Sequence, residues 1–153
     1  MITPAEGDFR LDREADTRRL GAAIARELKT GEAVCLSGPL GAGKSTLARA
    51  LIQALTGEAT EAPSPTFTLV QTYAGRRFPL AHFDLYRLNR PEEITELGLD
   101  EALDVGAAVI EWAEKLGHHL PADRLDVELQ IDGEGRRARL TPHGAWQERP
   151  LEF

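Results

Sequence analysis

The 153-residue sequence lacks a second cysteine and any long apolar run. Its single cysteine, Cys35, cannot form an internal disulfide, which argues against a secreted, disulfide-stabilised fold. No apolar run approaches the roughly 18 residues that suggest a membrane span. The N-terminus shows neither the basic leader nor the apolar segment of a signal peptide. We therefore expect a cytoplasmic protein without a membrane anchor.

An excess of basic residues is also missing. The chain has 18 Lys and Arg residues against 25 Asp and Glu residues, which gives a formal net charge of −7. Because clustered Lys and Arg drive most binding to phosphate backbones, this balance argues against a protein whose main task is to hold nucleic acid. If nucleic acid takes part in the function, we expect a partner to hold it.

Length and hydrophobic content are those of an ordinary globular protein. Hydrophobic residues make up 42% of the 153 residues, enough for one domain with a buried core, and no segment has the composition of a long linker. The sequence therefore predicts a single domain over residues 1–153.

The hydrophobic periodicity predicts three helical regions. Leucine and isoleucine at helical spacing predict a helix over residues 13–29, with Asp12 as its N-cap, and a second helix over residues 44–55. Pro91 followed by two glutamates predicts the start of a third helix, continued over residues 99–103.

The predicted strands are of two kinds. Continuous apolar runs at residues 33–36 and 107–112 are typical of strands buried on both faces of a parallel sheet. Alternating or β-branched segments predict two antiparallel hairpins. Their arms are residues 66–73 with 78–86 and residues 125–131 with 137–141. We expect an α/β fold: a mixed sheet with a parallel core and antiparallel hairpins, with helices on both faces.

Residues 38–45, Gly-Pro-Leu-Gly-Ala-Gly-Lys-Ser, match the phosphate-loop pattern G-x-x-x-x-G-K-[ST]. Glycines allow successive backbone N–H groups to point at phosphate oxygens, while Lys44 would reach the β and γ phosphates and Ser45 would bind Mg²⁺. A glycine-rich connection with an incidental lysine explains the pattern less well, because a buried strand and a helix flank it as the motif requires. The motif predicts binding of a nucleoside triphosphate, most simply ATP with Mg²⁺.

Two acids end predicted strands. Asp84 closes the segment 80–84 and Glu111 closes the apolar run 107–111. Ligands bind at the carboxyl ends of parallel strands, and a phosphate-loop enzyme needs a carboxylate near its metal. Each acid taken separately is equally well explained as a solvated strand end, but the pair favours a metal site.

Other polar segments leave alternatives open. Thr66 follows Ser64-Pro65, where nucleotide switches carry a threonine, but a simple turn explains the segment equally well. Arg136 and Arg137, with Arg139, form either a solvated hairpin or a contact with nucleotide or partner. The four histidines show no metal-binding spacing with Cys35 or with one another.

The motifs together resemble the TsaE family, the bacterial ATPase of tRNA threonylcarbamoyladenosine biosynthesis. The matching strings, in the family's order, are T-x-x-L-G at 17–21, LGAGKST at 40–46, SPTFTLV at 64–70, HFDLYR at 82–87 and IEW at 110–112. The resemblance implies a small P-loop NTPase fold whose ATP hydrolysis supports the complex that attaches threonylcarbamoyl to the adenosine beside the tRNA anticodon. It implies TsaD and TsaB as partners, with tRNA reached only through their complex.

The same resemblance implies roles for individual residues. Thr17 would lie near the nucleotide base, Ser45 and Glu111 would bind Mg²⁺, and Asp84 would support the metal or the attacking water. Thr66 looks like a switch residue, so the implied catalytic set is Lys44, Asp84, Glu111 and Thr66. The implied phosphate-binding set is Leu40, Gly41, Ala42, Gly43, Lys44, Ser45 and Thr46. Tyr86, Arg87 and Trp112 would transmit the nucleotide state to the partners.

Two departures from the family pattern are present. The family commonly has Gly-Asp-Leu-Gly-Ala-Gly-Lys-Thr, whereas this chain has Pro39 and Ser45. Pro39 removes one N–H group, but Ser45 keeps the hydroxyl that the metal needs. The arginine of the family's C-terminal pattern maps to Arg136 or Arg137, and its role stays open.

Two rival functions remain at this point. A nucleotide or small-molecule kinase would need an arginine-bearing lid, whereas the Arg-rich segment at residues 136–139 belongs to the last predicted hairpin. A nucleotide-gated binding module would bind ATP with little turnover. A GTPase is disfavoured, because the sequence has no [NT]-K-x-D segment to recognise guanine.

Overall fold

A computed structural model of the protein describes residues 2, 4–57, 61–63, 65 and 69–153. Within these residues, seven strands form one sheet. In chain order they are β1 Gly7–Leu11, β2 Ala33–Ser37, β3 Val70–Ala74, β4 Pro79–Asp84, β5 Ala107–Glu111, β6 Arg124–Asp132 and β7 Gly135–His143. They lie side by side in the order β1-β7-β6-β2-β5-β4-β3.

The centre of the sheet is parallel and its margins are antiparallel. Strand β2 pairs in parallel with β5 and β6, and β4 pairs in parallel with β5. The pairs β3–β4 and β6–β7 are antiparallel hairpins, and β1 adds an antiparallel edge to β7. The apolar strands β2 and β5 are central because only there are both faces of a strand covered. The predicted mixed sheet with a parallel core and two hairpins is confirmed.

The described residues also form four α-helices and two 3₁₀ segments, the second of which follows β7. The helices are α1 Glu14–Glu27, α2 Lys44–Thr56, α3 Glu93–Glu96 and α4 Leu99–Val105, and the 3₁₀ segments are Ala113–His119 and Gly144–Trp146. Helix α2 agrees with the prediction within one residue. The predicted third helix divides into α3 and α4 at Gly98, whose positive φ of 84° interrupts the helix.

Helix α1 differs from the prediction at both ends. Its N-cap is Arg13 rather than Asp12, and the Arg13 N–H donates to the Asp16 carboxylate at 3.1 Å. Asp12 instead accepts a hydrogen bond from Arg10 at 2.5 Å. The helix ends at Glu27 because Leu28 is already extended, two residues before the predicted end.

Helices cover both faces of the sheet, as predicted. The first face packs against α1 and α2 through one core cluster, and the second packs against α3, α4 and Ala113–His119 through another. Helices α1 and α2 approach closely at Gly21, where an added Cβ would lie 2.8 Å from the Ala50 side chain. In the described part of the chain, no helix is long and apolar enough to cross a membrane.

A buried ion pair attaches the C-terminal segment to the turn before β2. Glu32 is 4% exposed, and Arg149 donates to both of its carboxylate oxygens at 2.6 and 2.7 Å. The Lys29 N–H also donates to Glu32 at 3.0 Å, and the guanidinium lies 4.5 Å from the Trp146 ring centroid. The pair is bidentate and largely removed from water. Loss of either side chain would therefore leave the other charge buried without a partner.

The variant Arg149→Met should therefore lower the free energy of unfolding by about 3 kcal/mol, because it leaves the Glu32 charge buried without its partner. Arg139→Met is the matched control. Its ion pair with Asp8 is exposed on both sides, and its loss should cost less than about 1 kcal/mol. Urea unfolding of both variants measures the difference, and equal destabilisation would contradict a structural role for the buried pair.

Candidate functional site

The predicted phosphate loop connects β2 to α2 at the carboxyl end of the parallel strands. The loop needs glycine at its two ends. Gly38 has a φ of 128° and a Cβ there would clash with the Leu129 carbonyl, while Gly43 has a φ of 105° and is the N-cap of α2. The loop therefore turns tightly and aims the N-terminal end of α2, with the N–H groups of its first turn, into a cleft.

Lys44 is the cationic side chain next to the loop. It is 5% exposed, and its ammonium donates to the carbonyl oxygens of Gly38 and, at 2.9 Å, of Pro39. The ammonium also lies 3.9 Å from the centroid of the Trp112 ring. Burial lowers the pKa of Lys44, and the nearby carboxylates of Glu114, Glu111 and Asp84 oppose that shift. The structure thus holds a desolvated positive charge inside the loop.

Parallel pairing brings the two predicted acids together. Asp84 and Glu111 are register partners in β4 and β5. Glu111 is 1% exposed and accepts a hydrogen bond from the Ser45 hydroxyl at 2.8 Å. Asp84 accepts from the Tyr86 N–H at 3.1 Å, and burial raises the pKa of the Asp84 carboxyl, with the Glu111 charge adding to the shift. Ser45, Asp84 and Glu111 therefore share one wall of the cleft.

The cleft has two adjacent halves. The first, about 390 Å³ in volume, is lined by Leu40, Gly41, Gly43, Lys44, Ser45, Thr46, Asp84, Tyr86, Glu111 and Trp112. The second, about 300 Å³, is lined by Leu11, Asp12, Arg13, Glu14, Thr17, Gly41, Gly43, Thr46, Glu134, Gly135 and Arg136. Gly41, Gly43 and Thr46 line both halves. We call the first the loop pocket and the second the side pocket.

The donor set of the loop pocket suits a hard cation. The Ser45 hydroxyl and the carboxylates of Asp84 and Glu111 offer oxygen atoms, and Mg²⁺ is usually held by one or two carboxylates together with substrate phosphates. Over the ranges that the structure describes, no group of three or more His, Cys, Asp or Glu side chains could hold a metal by itself. The described side chains of the pocket thus do not form a closed metal centre, but they could share a cation with a phosphorylated ligand.

The side pocket distinguishes Arg136 from its neighbours. The Arg136 guanidinium donates to the Gly41 carbonyl at 3.0 Å, and both Arg136 and the buried Thr17 line the side pocket. Arg137 instead pairs with Asp132 at 3.0 Å, and Arg139 pairs with Asp8 on the exposed surface. Of the three arginines left open by the sequence, Arg136 is the one at the cleft.

Of the predicted site residues that the structure describes, Ala42 is the exception that does not line the cleft. The Ala42 side chain is buried in the core beneath the loop, so the loop pocket can meet only its backbone. Thr66 lies outside the described residues, and its predicted switch role stays a prediction.

Sequence reasoning missed several neighbours of the cleft. His82 donates to Glu111, Glu114 accepts from the Gly38 N–H at 3.3 Å, and Lys115 donates to the Tyr86 carbonyl at 2.5 Å. Only His82 had a usable signal: it lies two residues before Asp84 in one strand and therefore on the same face. The positions of Glu114 and Lys115 depend on the 3₁₀ segment Ala113–His119, which the sequence pattern did not predict.

The comparisons with known proteins agree on one family. Residues 11–139 match the family model described as threonylcarbamoyl adenosine biosynthesis protein TsaE. A protein from Rickettsia bellii named tRNA threonylcarbamoyladenosine biosynthesis protein TsaE is 43% identical over 132 residues, covering 86% of this chain and 92% of its own. A protein of the same name from Nostoc is 40% identical over 141 residues, covering 88% of this chain and 84% of its own.

A solved structure gives the same result for the fold. The crystal structure of Bacillus subtilis YdiB superposes with a TM-score of 0.74 at 29% sequence identity. The match covers 91% of this chain and 86% of that protein. Nearly the whole sheet and its helices therefore have counterparts in that structure.

We expect Asp84→Asn to stabilise the ligand-free protein at pH 7 by up to about 1 kcal/mol, a gain limited by the partial exposure of the group. The folded-state pKa is raised above the ordinary 3.8, so the ionised carboxylate destabilises the folded state at neutral pH. The gain should shrink as the pH falls through the raised pKa and vanish below the ordinary value. Asparagine keeps the oxygen that accepts from Tyr86.

Unfolding in urea at pH 7 and near pH 4, with a chelator present, tests this expectation. Glu96→Gln removes an exposed acid and should change stability by less than about 0.5 kcal/mol at either pH. A destabilised Asp84→Asn protein at pH 7 would contradict the expectation.

Proposed function

The chain belongs to the TsaE family, and from that membership we propose that it is a Mg²⁺-dependent ATPase that supports tRNA threonylcarbamoyladenosine biosynthesis. The observation that carries the proposal is the 2.8 Å contact between the Ser45 hydroxyl and Glu111 beside the buried Lys44 ammonium. A metal-binding hydroxyl, a carboxylate and a phosphate-binding cation meet there at the N-terminus of one helix.

The phosphates of ATP would occupy the loop pocket. Lys44 would move its ammonium from the Gly38 and Pro39 carbonyls to phosphate oxygens, and the N–H groups at the start of α2 would donate to the same anion. The nucleoside would then extend past Gly41 into the side pocket, between Thr17 and Arg136. The two halves of the cleft match the two chemically different halves of the nucleotide.

Ser45 and Glu111 would hold Mg²⁺, and Asp84 would support the metal or orient the attacking water. Mg²⁺, when bound, neutralises the charge that develops on the phosphates. Glu111 has one carboxylate oxygen directed at Ser45, which suits direct or water-mediated binding of the ion. Burial raises the pKa of Asp84 and the nearby Glu111 charge adds to the shift, so a divalent cation would favour the ionised form of both carboxylates.

We further propose that hydrolysis is weak without the partners TsaD and TsaB. The cleft is open at its rim, where Leu40 is 67% exposed and Tyr86 is 49% exposed. Lys44 is the cationic side chain that lines the loop pocket, whereas efficient phosphoryl transfer uses additional positive charge over the phosphates. A partner that covers this rim would exclude water and complete the site, and it would also carry the tRNA that this acidic chain is poorly suited to hold.

Tyr86 and Trp112 connect the pocket to that rim. Their rings lie 4.9 Å apart, and Trp112 contacts the Lys44 ammonium on one side. A change in the position of Lys44 would therefore alter the packing of Trp112 against the exposed Tyr86. We propose that this contact, with Arg87 next to it in sequence, reports the nucleotide state to the partner proteins.

The kinase alternative has weaker support. Arg136 lies at the side pocket and donates to Gly41, so it does not form a lid over the loop pocket. Transfer of labelled γ-phosphate from ATP to a metabolite rather than to water would favour the kinase. The binding-module alternative predicts that Glu111→Ala leaves tRNA modification intact.

Lys44→Ala should abolish ATP hydrolysis and tRNA modification in a reconstituted reaction with the candidate partner proteins, because it removes the charge that meets the phosphates. Lys29→Ala removes an exposed lysine outside the cleft and should behave as wild type. The readouts are phosphate release and modified adenosine in tRNA, each with and without partners. Normal modification by Lys44→Ala would refute the proposed function.

Nucleotide binding should change the fluorescence of Trp112, because Lys44 would leave its position 3.9 Å from the ring centroid. The other tryptophan, Trp146, is completely buried outside both pockets and should not respond. Titration with ADP and Mg²⁺ should give a saturable change in emission that Trp112→Phe abolishes. A change that persists in Trp112→Phe would show that the signal arises elsewhere.

A further inference from the structure

His82 is a buried polar residue with no role in the phosphate motif. It is 1% exposed and lies in β4, two residues before Asp84. Its register partner in β5 is Val109, two residues before Glu111. Because alternate residues of a strand share a face, His82 and Asp84 lie on the same side of β4, as Val109 and Glu111 do in β5. His82 therefore lies beneath the acidic wall of the loop pocket.

The His82 side chain directly contacts Glu111. Its Nε2 donates to Glu111 Oε2 at 2.6 Å, while the other carboxylate oxygen, Oε1, accepts from the Ser45 hydroxyl at 2.8 Å. One donor thus holds the carboxylate from the sheet side and the other meets it from the loop. The charged groups that face this carboxylate are Lys44 and Asp84.

The surroundings of the second ring nitrogen, Nδ1, indicate which nitrogen of His82 carries the proton. His82 Nδ1 is buried and has no hydrogen-bond partner among the residues that the structure describes. A proton on Nδ1 would be buried without an acceptor, so the ring proton belongs on Nε2, where Glu111 accepts it. A buried, half-satisfied imidazole is less favourable for stability than an apolar side chain of similar size. Packing alone therefore does not account for histidine here.

We propose that His82 is a positioning residue that fixes the Glu111 carboxylate so that its Oε1 stays directed at Ser45 and the Mg²⁺ position. This inference rests on the proposed function, because it assigns the cation to Ser45 and Glu111. Hydrogen bonds to a ligating carboxylate orient it, and their loss typically lowers metal affinity about 10- to 100-fold. His82 itself does not touch nucleotide or metal.

The proposal predicts a selective effect on the cation. In His82→Leu, Glu111 loses the donor that fixes it, and the Mg²⁺ concentration for half-maximal enhancement of nucleotide binding should rise about 10-fold or more. Binding of the nucleotide in EDTA should be unchanged, because Lys44 and the loop remain intact. His82→Gln keeps an N–H donor at a similar reach and should restore the Mg²⁺ dependence to within about threefold of wild type.

The experiment uses the full chain and fluorescent ADP, titrated with MgCl₂ and separately measured in EDTA. Val109→Ala is the matched control: it weakens packing at the register partner of His82 without removing a donor, so its Mg²⁺ dependence should equal that of wild type. If His82→Leu does not fold, His82→Asn replaces it. The shorter amide does not reach Glu111 and should lose as much Mg²⁺ affinity as leucine would.

Three results would overturn the proposal. Wild-type Mg²⁺ dependence in His82→Leu or His82→Asn would show that Glu111 needs no support. An equal loss in His82→Gln and in Val109→Ala would show that the effect is one of packing. If wild-type protein binds ADP equally with and without Mg²⁺, the proposed function fails and this inference fails with it. If wild-type binding depends on Mg²⁺, the variants test the role of His82 alone.

Discussion

The parallel pairing of β2, β5 and β4 is the constraint on which the site depends. Leu36, Glu111 and Asp84 occupy one row across these strands. The loop that follows β2 therefore begins beside the two acids, although they lie far from it in sequence. A shift of one residue in either pairing would turn Glu111 or Asp84 to the opposite face of the sheet, away from Ser45. The site is thus a consequence of strand register as much as of residue identity.

Register also explains how much of the site could be predicted from the sequence. Lys44 and Ser45 belong to a local sequence motif and can be predicted from it. Asp84 and Glu111 end apolar runs that are recognisable as buried strands, so the sequence also predicts these two acids as site residues. Arg136 and Arg137 could not be distinguished, because adjacent residues of a strand point to opposite faces and only the observed pairing of β6 with β7 decides which one meets the cleft. The Arg13 cap and the 3₁₀ segment after Trp112 were missed because local hydrogen bonds, rather than hydrophobic periodicity, determine them.

The described buried polar and charged residues are concentrated at this site. They are Thr17, Glu32, Lys44, His82 and Glu111, and Glu32 is the member that lies away from the cleft, paired with Arg149. Burying such groups is unfavourable unless each is hydrogen-bonded or paired. In the rest of the core, apolar side chains fill both faces of the sheet. The two core clusters thus stabilise the scaffold, while the polar groups are held where a charged ligand could use them.

The backbone at Trp112, next to Glu111, adopts an unfavourable conformation at the site. Trp112 follows Glu111 and has a φ of 60°, which is unfavourable for a bulky side chain by on the order of 1–3 kcal/mol. The left-handed turn directs the indole across the loop, where it meets the Lys44 ammonium and the Tyr86 ring. An extended backbone at this position would continue β5 and carry the ring away from the loop. Backbone strain persists only where surrounding contacts maintain it. The contacts of Trp112 with Lys44 and Tyr86 therefore couple the backbone beside Glu111 to the loop that would bind phosphate. The acid, the lysine and the exposed rim are therefore linked through one set of contacts.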